Sequence, residues 1–450
     1  MTTPQSSSPP LRSPEQLRGD PGMTTPGVSV LITGATTADG ARGDLFICGG
    51  VFADPADAPA GVERIDADGL LALPGLVDLH THLREPGRED AETVASGTLA
   101  AASGGFTCVH AMANTEPVTD TAEAAEYVAS LGERDGHCQV VAVGAVTKGL
   151  AGEELAELGL MATSRANVRV FSDDGRCVND SLLMRRALTY VKSYDGVIAQ
   201  HSQDPRLAGP GACCHESEIS GRLGLPGWPA QAESVIVARD VQLAELAGSR
   251  LHVCHVSTAE SVEVIRWAKR RGIQVTAEAT PHHLLLDTTY VEGFDTTFKV
   301  NPPLRTSEHL EAIREALADG TIDTVGTDHA PHARQDKDHP FDIALPGMLG
   351  LEQALAVVME VMVNTGRMDW PTLVARMSST PAKIGRVAGQ GRPVAIGEPA
   401  NLVLVDPGSR AVVDRDASAS RSRNNPYHGQ NLPDPVIATF WAGRATYRRG

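Results

Sequence analysis

Short apolar runs alternate with amphipathic segments through the middle of the chain. The runs span residues 71–79, 106–113, 138–146, 167–172, 195–200, 249–256, 272–280 and 320–327. Amphipathic segments between them include 121–136, 180–194, 233–248 and 260–272. Thr121 and Asp180 begin the first two as good helix N-caps. The pattern predicts an α/β fold with eight strands that alternate with helices, the count of a (β/α)8 TIM barrel. An open, doubly wound sheet gives the same alternation and stays an alternative.

Both ends of the chain have a different pattern. Strand-like segments separated by turns fill residues 27–71 and 391–450, and we expect them to form one small β-sandwich domain built from both chain ends. The barrel would then comprise residues 72–390. Residues 1–26 are rich in Ser, Thr, Pro and Gly and poor in large apolar residues, which predicts a disordered N-terminal extension.

Composition narrows the class of partner. The 450 residues include 39 basic and 56 acidic side chains, a formal net charge of −17. This balance argues against nucleic acid or an anionic membrane surface, because phosphate binding needs clustered positive charge. No apolar run approaches the ~20 residues of a membrane span. The seven cysteines are odd in number and form no CxxC pair, which favours a soluble protein of the reducing cytoplasm.

Histidine or aspartate residues stand at the ends of five predicted strands. His80 and His82 are two residues apart, so an extended chain places both imidazoles on one face. The others follow the fourth, fifth, sixth and eighth strands: Asp173, Asp174, His201, His255, Asp328, His329 and His332. Each alone has a structural explanation, as a hydrogen-bonded core histidine or a helix cap. Together they favour one site, since a barrel brings these strand ends to the same face.

Four histidines and at least two aspartates form a ligand set suited to Zn²⁺. One tetrahedral ion needs fewer ligands, so the set indicates two ions that share a carboxylate. Zinc lowers the pKa of bound water to about 7, which provides a nucleophile at neutral pH. A carboxylate after the eighth strand could carry a proton to a leaving nitrogen. The residues therefore predict metal-assisted hydrolysis of an amide-like bond, or its reverse.

From residue 28 onward the sequence resembles the amidohydrolase superfamily. The resemblance lies in PGLVDLHTH at 74–82, in the strand-end histidines and aspartate, and in GEPANLVLVD at 397–406. Four motifs are similar to bacterial type I dihydroorotases: HLREPG at 82–87, AMANTEP at 111–117, KVNPPLR at 299–305 and TDHAPH at 327–332. FSDDG at 171–175 is also typical of that group. Many other relatives have a carboxylated lysine there, and this chain has none.

The resemblance implies reversible, zinc-dependent cyclisation of N-carbamoyl-L-aspartate to L-dihydroorotate in pyrimidine (UMP) biosynthesis. One zinc ion would be held by His80, His82, Asp174 and Asp328, and a second by Asp174, His201 and His255. Asp328 would also be the catalytic proton carrier. Asp174 takes the bridging role by the family motif, with Asp173 as the alternative. Substrate contacts would come from His82, Arg84, Asn114, Asn301 and His332, with Pro346 and Gly347 lining the site.

Several residues near these motifs have two interpretations. Arg84 suits a substrate carboxylate, or a surface ion pair with Glu85 or Glu89. Residues 333–346 are polar and irregular, which suits a mobile lid or a plain surface loop.

The pair His282 and His283 could orient ligands or cap a loop. We expect strand alternation to point Cys254 away from the metal face. Residues 202–204, SQD, replace a more acidic pair usual in the family, and we expect an effect on tuning only.

Other functions remain as alternatives. An allantoinase or dihydropyrimidinase would act on a neutral ring, against which the missing lysine and the set Arg84, Asn114 and Asn301 argue. A catalytically silent structural partner of aspartate transcarbamoylase would lack metal-site histidines, and here all are present. Some relatives assemble with that transcarbamoylase, so the resemblance leaves such an association open, together with a homo-oligomer.

Overall fold

The computed structural model describes residues 29–450, so the extension predicted for residues 1–26 lies outside the described residues. The strands are β1 (Val30–Thr37), β2 (Arg42–Cys48), β3 (Val51–Ala53), β4 (Glu63–Asp66), β5 (Leu71–Pro74), β6 (Leu76–Thr81), β7 (Phe106–Ala111), β8 (Gln139–Ala142), β9 (Val170–Phe171), β10 (Val197–Gln200), β11 (Cys214–His215), β12 (Gly227–Trp228), β13 (Arg250–Val253), β14 (Val275–Ala279), β15 (Thr324–Val325), β16 (Leu402–Val405), β17 (Arg410–Val412), β18 (Asn431–Pro433), β19 (Val436–Trp441) and β20 (Arg444–Arg448).

The α-helices are α1 (Val94–Ser103), α2 (Ala122–Asp135), α3 (Leu158–Thr163), α4 (Ser181–Val191), α5 (Pro205–Ala208), α6 (Glu218–Leu223), α7 (Gln231–Ala247), α8 (Ala259–Arg270), α9 (Pro281–Leu285), α10 (Ser307–Asp319), α11 (Arg334–Lys337), α12 (Ala354–Val358), α13 (Trp370–Val374) and α14 (Thr380–Gly385). Short 3-10 helices lie at Pro55–Asp57, Lys148–Leu150, Lys192–Tyr194, Thr288–Gly293, Thr296–Phe298 and Arg415–Ala417. Two π-helical turns lie at Met359–Val363 and Ala375–Ser379.

Parallel strands carry the middle of the chain. β6, β7 and β8 pair in that order, and β9, β10, β13, β14 and β15 form a second sheet in that order. Two isolated parallel bridges connect these two sheets. One pairs Gly144 with Phe171, and the other pairs Thr81 with His329. β6, β7 and β10 are buried at every residue, as expected for parallel strands covered on both faces. The α/β class is confirmed, and each of the predicted runs from 106–113 to 320–327 contains a parallel strand.

The predicted helices form where their caps indicate. The Thr121 side chain accepts a hydrogen bond from the Ala124 amide at the start of α2, and the Asp180 side chain accepts one from the Leu183 amide at the start of α4. These bonds satisfy amide groups that a helix leaves unpaired at its first turn. Apolar side chains of these helices share one hydrophobic core with those of the parallel strands.

The apolar run 71–79 is not one strand, contrary to the prediction. β5 takes Leu71–Pro74 and pairs with β16, whereas β6 begins at Leu76 and pairs with β7. Gly75 lies between them, and a Cβ atom there would come within 2.3 Å of the Thr107 side chain. The chain therefore passes from one sheet to the next at a position that only glycine fits, which an apolar pattern cannot reveal.

A separate sheet joins both ends of the chain. Its order is β20-β19-β16-β5-β1-β2-β3, with β4 paired to β1. The strands come from residues 30–74 and 402–448, and their apolar side chains form a core of their own around Ile32, Ile47, Leu402 and Phe440. Thr439 on β19 donates a hydrogen bond to the Ala102 carbonyl of α1, which attaches this sheet to the parallel strands.

Two further predictions concern membrane-spanning helices and disulfide bonds. No helix between residues 29 and 450 is long and apolar enough to cross a membrane. All seven cysteines lie in this range and are free thiols rather than disulfides. The cytoplasmic location stays a prediction.

Candidate active site

A cluster of four buried side chains lies where β6 and β15 end. His80 Nε2 is 3.4 Å from Asp174 Oδ2 and 3.5 Å from Asp328 Oδ1. His82 Nε2 is 3.3 Å from the same Asp174 oxygen and 3.2 Å from the same Asp328 oxygen. Two imidazoles and two carboxylates thus point their ligand atoms at one small volume, which is an arrangement that can hold a cation.

A second group uses the other oxygen of Asp174. His255 Nε2 lies 3.0 Å from Asp174 Oδ1, and His201 Nδ1 lies 3.2 Å from it. The two imidazole nitrogens are 2.9 Å apart. Asp174 is therefore common to both groups, with one carboxylate oxygen directed to each. This is the geometry that a carboxylate shared between two metal ions requires.

Asp173 is engaged elsewhere. It accepts hydrogen bonds from the Val146 and Thr147 amides at 2.8 and 2.9 Å, and from the Thr147 hydroxyl. Its side chain fixes the loop after β8 and contacts none of the clustered histidines in the described residues. Of the two adjacent aspartates, Asp174 faces the site.

Backbone turns bring two of these side chains into the cluster. His255 has φ of 31° and Asp328 has φ of 45°, so both leave the extended conformation directly after their strands. Alternation therefore does not apply across Cys254 and His255. Cys254 packs in an apolar cluster with Met112 and Val143, and its sulfur lies within 4.8 Å of ligand atoms of His80 and Glu278. Burial raises the pKa of this thiol to about 12, so it remains protonated.

Hydrogen bonds behind the cluster fix which nitrogen each histidine presents. His80 Nδ1 donates to Glu278 Oε1 at 2.6 Å, and His82 Nδ1 donates to Asn114 Oδ1 at 2.8 Å. The free Nε2 atoms of both rings then face the aspartates. His80 Nε2 is fully buried and has no hydrogen-bond partner among the described residues, so its lone pair is available to a cation.

Negative charge is in excess around this centre. Burial opposes the charged form of His80, but Asp174 and Glu278 outweigh it and hold the pKa of His80 well above its usual value. Burial likewise opposes ionisation of Asp328, but His80 and His82 lower the pKa of Asp328 to about 2. The carboxylates are thus ionised at neutral pH and would be neutralised by bound cations. The donor set and the unpartnered nitrogen both fit a metal centre.

The residues expected to contact substrate surround the cluster. Arg84 donates one hydrogen bond from its Nε to the Pro331 carbonyl at 3.1 Å, and its two terminal nitrogens have no acceptor among the described residues. Burial lowers the pKa of Arg84 to about 10, which leaves it charged at neutral pH. His332 Nε2 donates to the Pro346 carbonyl at 2.9 Å, and Gly347 packs so closely on this ring that a Cβ would lie 2.7 Å from Nε2. The free end of the Arg84 guanidinium suits recognition of an anion beside the metal cluster.

Comparison with known proteins identifies the family. A family model described as dihydro-orotase-like matches residues 69–261. The dihydroorotase of Leifsonia xyli subsp. xyli is 60% identical over 422 residues, covering 93% of this chain and 96% of that protein. The Streptomyces coelicolor dihydroorotase is 58% identical over 418 residues, or 92% and 97% of the two chains. The chain belongs to the dihydroorotase family. Its Mycobacterium tuberculosis relative is 50% identical over 427 residues, or 94% and 99%.

Solved structures similar to this one come from a wider group than the dihydroorotases. L-hydantoinase (dihydropyrimidinase) from Arthrobacter aurescens superposes with a TM-score of 0.83 at 25% identity, covering 94% of this chain and 97% of that one. Dihydropyrimidinase from Brevibacillus agri NCHU1002 gives 0.81 at 23% identity, covering 93% and 95%. These likenesses establish a shared α/β fold, and the activities in those names are those proteins' own.

The loop over residues 333–346 is partly anchored in this dihydroorotase family member. It contains α11, and Lys337 Nζ donates to the carbonyls of Leu345 and Gly347 at 2.8 and 3.0 Å. Burial and the nearby charge of Lys299 lower the pKa of Lys337 to about 7. The choice between a lid and a surface loop stays a prediction.

The two adjacent histidines after β14 differ in their hydrogen bonding. His283 bonds to Thr280 Oγ1 at 2.8 Å and to the Pro302 carbonyl at 3.2 Å, so it caps the loop. The His282 ring is fully buried and has no hydrogen-bond partner on either nitrogen among the described residues. Burial first, and then His283, holds the pKa of His282 well below its usual value, so its ring is neutral.

The sequence prediction missed two residues that contact the predicted ligands. Glu278 on β14 bonds His80, and it also accepts from His252 Nε2 at 3.1 Å. Gln203 Oε1 lies 2.8 Å from His201 Nε2. A carboxylate at an inward position of the seventh parallel strand was the available signal for Glu278. Gln203 was visible as a departure from the usual family motif, but no sequence feature indicates its partner.

Proposed function

We propose that the protein is a metal-dependent dihydroorotase that interconverts N-carbamoyl-L-aspartate and L-dihydroorotate in pyrimidine biosynthesis. The observation that carries the proposal is the division of the Asp174 carboxylate between two groups of ligands, in a chain that is 50–60% identical to proteins named dihydroorotase. Opening the ring of a cyclic amide needs an activated water molecule, and closing the ring releases one. This site has metal ligands that suit the activation of water and carboxylates that suit proton transfer.

Two zinc ions would fit the ligand set. His80, His82, Asp174 and Asp328 would hold one, and Asp174, His201 and His255 the other. When bound, zinc would lower the pKa of a water molecule to about 7 and polarise the ring amide carbonyl. The protein's own part is to fix which imidazole nitrogen of each ring faces the cluster, which Glu278, Asn114 and Gln203 do through hydrogen bonds to the opposite ring nitrogens.

Asp328 is the proposed proton carrier. Its Oδ1 lies next to both His80 and His82, and it is ionised at neutral pH, so it can accept a proton from the attacking water. Passing that proton to the departing ring nitrogen completes hydrolysis, and the reverse transfer accompanies cyclisation. The position of Asp328 beside the ligand cluster supports this role.

Recognition of a carboxylated ring separates this function from that of the hydantoinases. Arg84 is charged and keeps its terminal nitrogens free, which suits a bidentate bond to the substrate carboxylate. Asn114, Asn301 and His332 would add polar contacts, with Pro346 and Gly347 forming the wall. A neutral ring would leave the Arg84 charge unpaired in a partly buried site, which costs binding energy.

We further infer that the eight parallel strands close into a (β/α)8 barrel, because isolated bridges link β8 with β9 and β6 with β15. The sheet from both chain ends would be its accessory β-sandwich domain, with its first segment extended to Pro74. A homo-oligomer and an association with aspartate transcarbamoylase stay predictions.

Ultraviolet absorbance during hydrolysis tests the function. The purified protein would be given L-dihydroorotate, hydantoin, dihydrouracil and allantoin in parallel, before and after chelation. We expect loss of dihydroorotate alone, abolished by chelator and restored by zinc. Turnover of a neutral ring in preference to dihydroorotate would refute the substrate assignment while leaving the metal centre in place.

A further inference from the structure

Gln203 connects a proposed metal ligand to a proposed substrate contact. Its Oε1 atom lies 2.8 Å from His201 Nε2 and 2.9 Å from Asn301 Nδ2. Gln203 follows β10, whereas Asn301 precedes α10, 98 residues further along the chain. One oxygen thus accepts two hydrogen bonds, one from each half of the site.

The first bond determines the state of His201. Because Nε2 carries the proton donated to Gln203, Nδ1 is the nitrogen with the free lone pair, and it faces Asp174 Oδ1 at 3.2 Å. A neutral histidine has only one donor and one acceptor nitrogen. Gln203 therefore holds the His201 ring with Nδ1 toward Asp174.

The second bond determines which atom Asn301 shows to the site. A carboxamide carries both donors and an acceptor, so a free asparagine can present either. Here Nδ2 is bonded to Gln203, and Asn301 Oδ1 is buried with no hydrogen-bond partner among the described residues. A buried, unpartnered acceptor calls for an N–H group from something that binds there.

We propose that Gln203 is a positioning residue that fixes Asn301 so that its Oδ1 accepts a hydrogen bond from an N–H group of the cyclic amide. The inference rests on the proposed function and adds a second feature by which the site selects its substrate. Arg84 selects for the carboxylate of the substrate, and Asn301 selects for an unsubstituted ring nitrogen. Rings that carry an alkyl group on that nitrogen leave the acceptor unpaired and bind poorly.

Substitutions at Gln203 test this role. Gln203→Met keeps the length of the side chain and removes the acceptor, so KM for L-dihydroorotate should rise about ten- to a hundredfold. Gln203→Glu keeps an acceptor for both partners and should recover most of that loss. Gln231→Met is the matched control, because Gln231 bonds only the exposed Glu260 side chain at 3.3 Å, and it should behave as wild type.

A double-variant cycle separates positioning from a general structural effect. Asn301→Ala should raise KM by itself, and adding Gln203→Met should raise it no further, because Gln203 acts on substrate through Asn301. Metal content and melting temperature, measured on every variant, report separately on His201 and on folding. Additive effects on KM, or a Gln203→Glu protein as impaired as Gln203→Met, would overturn the proposal.

The two proposals fail in different ways. If the wild-type protein prefers a neutral ring to dihydroorotate, the function is wrong, and the same variants are then measured on that ring. Non-additivity between Gln203 and Asn301 on it supports the positioning role, and additivity refutes it.

Discussion

Glu278→Gln tests whether the metal centre depends on charge behind its ligands. Glu278 is completely buried on β14 and accepts from His80 Nδ1 at 2.6 Å, from His252 Nε2 at 3.1 Å and from the His255 amide at 3.3 Å. Glutamine has the same shape but lacks the charge, and only one of its terminal atoms accepts hydrogen bonds. The change therefore weakens the support of His80 without removing the side chain.

The expected magnitude follows from the strength of these bonds. Hydrogen bonds to a charged partner contribute ~1.5–3 kcal/mol, against ~1 kcal/mol for neutral ones. Losing the charge on the short bond to His80, with partial compensation at His252, should cost about 1.5–2.5 kcal/mol of metal binding. That corresponds to about ten- to sixtyfold weaker affinity, within the range found for residues that orient metal ligands.

Competition with a chelator measures this effect. Wild-type and variant proteins would be equilibrated with graded chelator and analysed for retained zinc, with circular dichroism to check folding. Glu92→Gln is the control, because Glu92 is equally buried and its side chain bonds Ser96, Ser420 and His329, none of which is a proposed metal ligand. A folded Glu278→Gln protein that retains zinc as well as the control does would refute the reasoning.

Three further predictions concern neighbouring residues. Gly326→Ala should lower metal content in the purified protein, because its Cβ would lie 2.3 Å from Glu278 Oε2; inductively coupled plasma mass spectrometry checks this. Asp328→Asn should reduce kcat about 10²- to 10⁴-fold through loss of the proton carrier, and near-normal turnover with full metal content would contradict that role. Arg84→Met should raise KM for dihydroorotate about ten- to a hundredfold, through loss of a charge-assisted bidentate bond, and unchanged KM in steady-state assays would show that the carboxylate binds elsewhere.

The sequence predicted the ligand cluster well because parallel strands impose a simple geometry. His80 and His82 share a face of β6, and the ends of β10, β13 and β15 lie at the same edge, so strand-end residues indicate the site directly. The types of residue at those ends were sufficient to predict that these side chains lie close together, and the metal centre itself stays a prediction.

Contacts across the fold could not be predicted in the same way. Glu278 and His80 are 198 residues apart, and Gln203 and Asn301 are 98 apart, so no local pattern pairs them. The division of residues 71–79 depends on close packing at Gly75, which is likewise a property of the folded chain.

Titration of the metal-free protein with zinc, followed by L-dihydroorotate hydrolysis, tests the central claim most directly. We expect no turnover without metal, and activity that rises with added zinc until both groups sharing Asp174 are filled at two equivalents per chain. Hydrolysis of dihydroorotate at the full rate by protein free of metal would contradict the account.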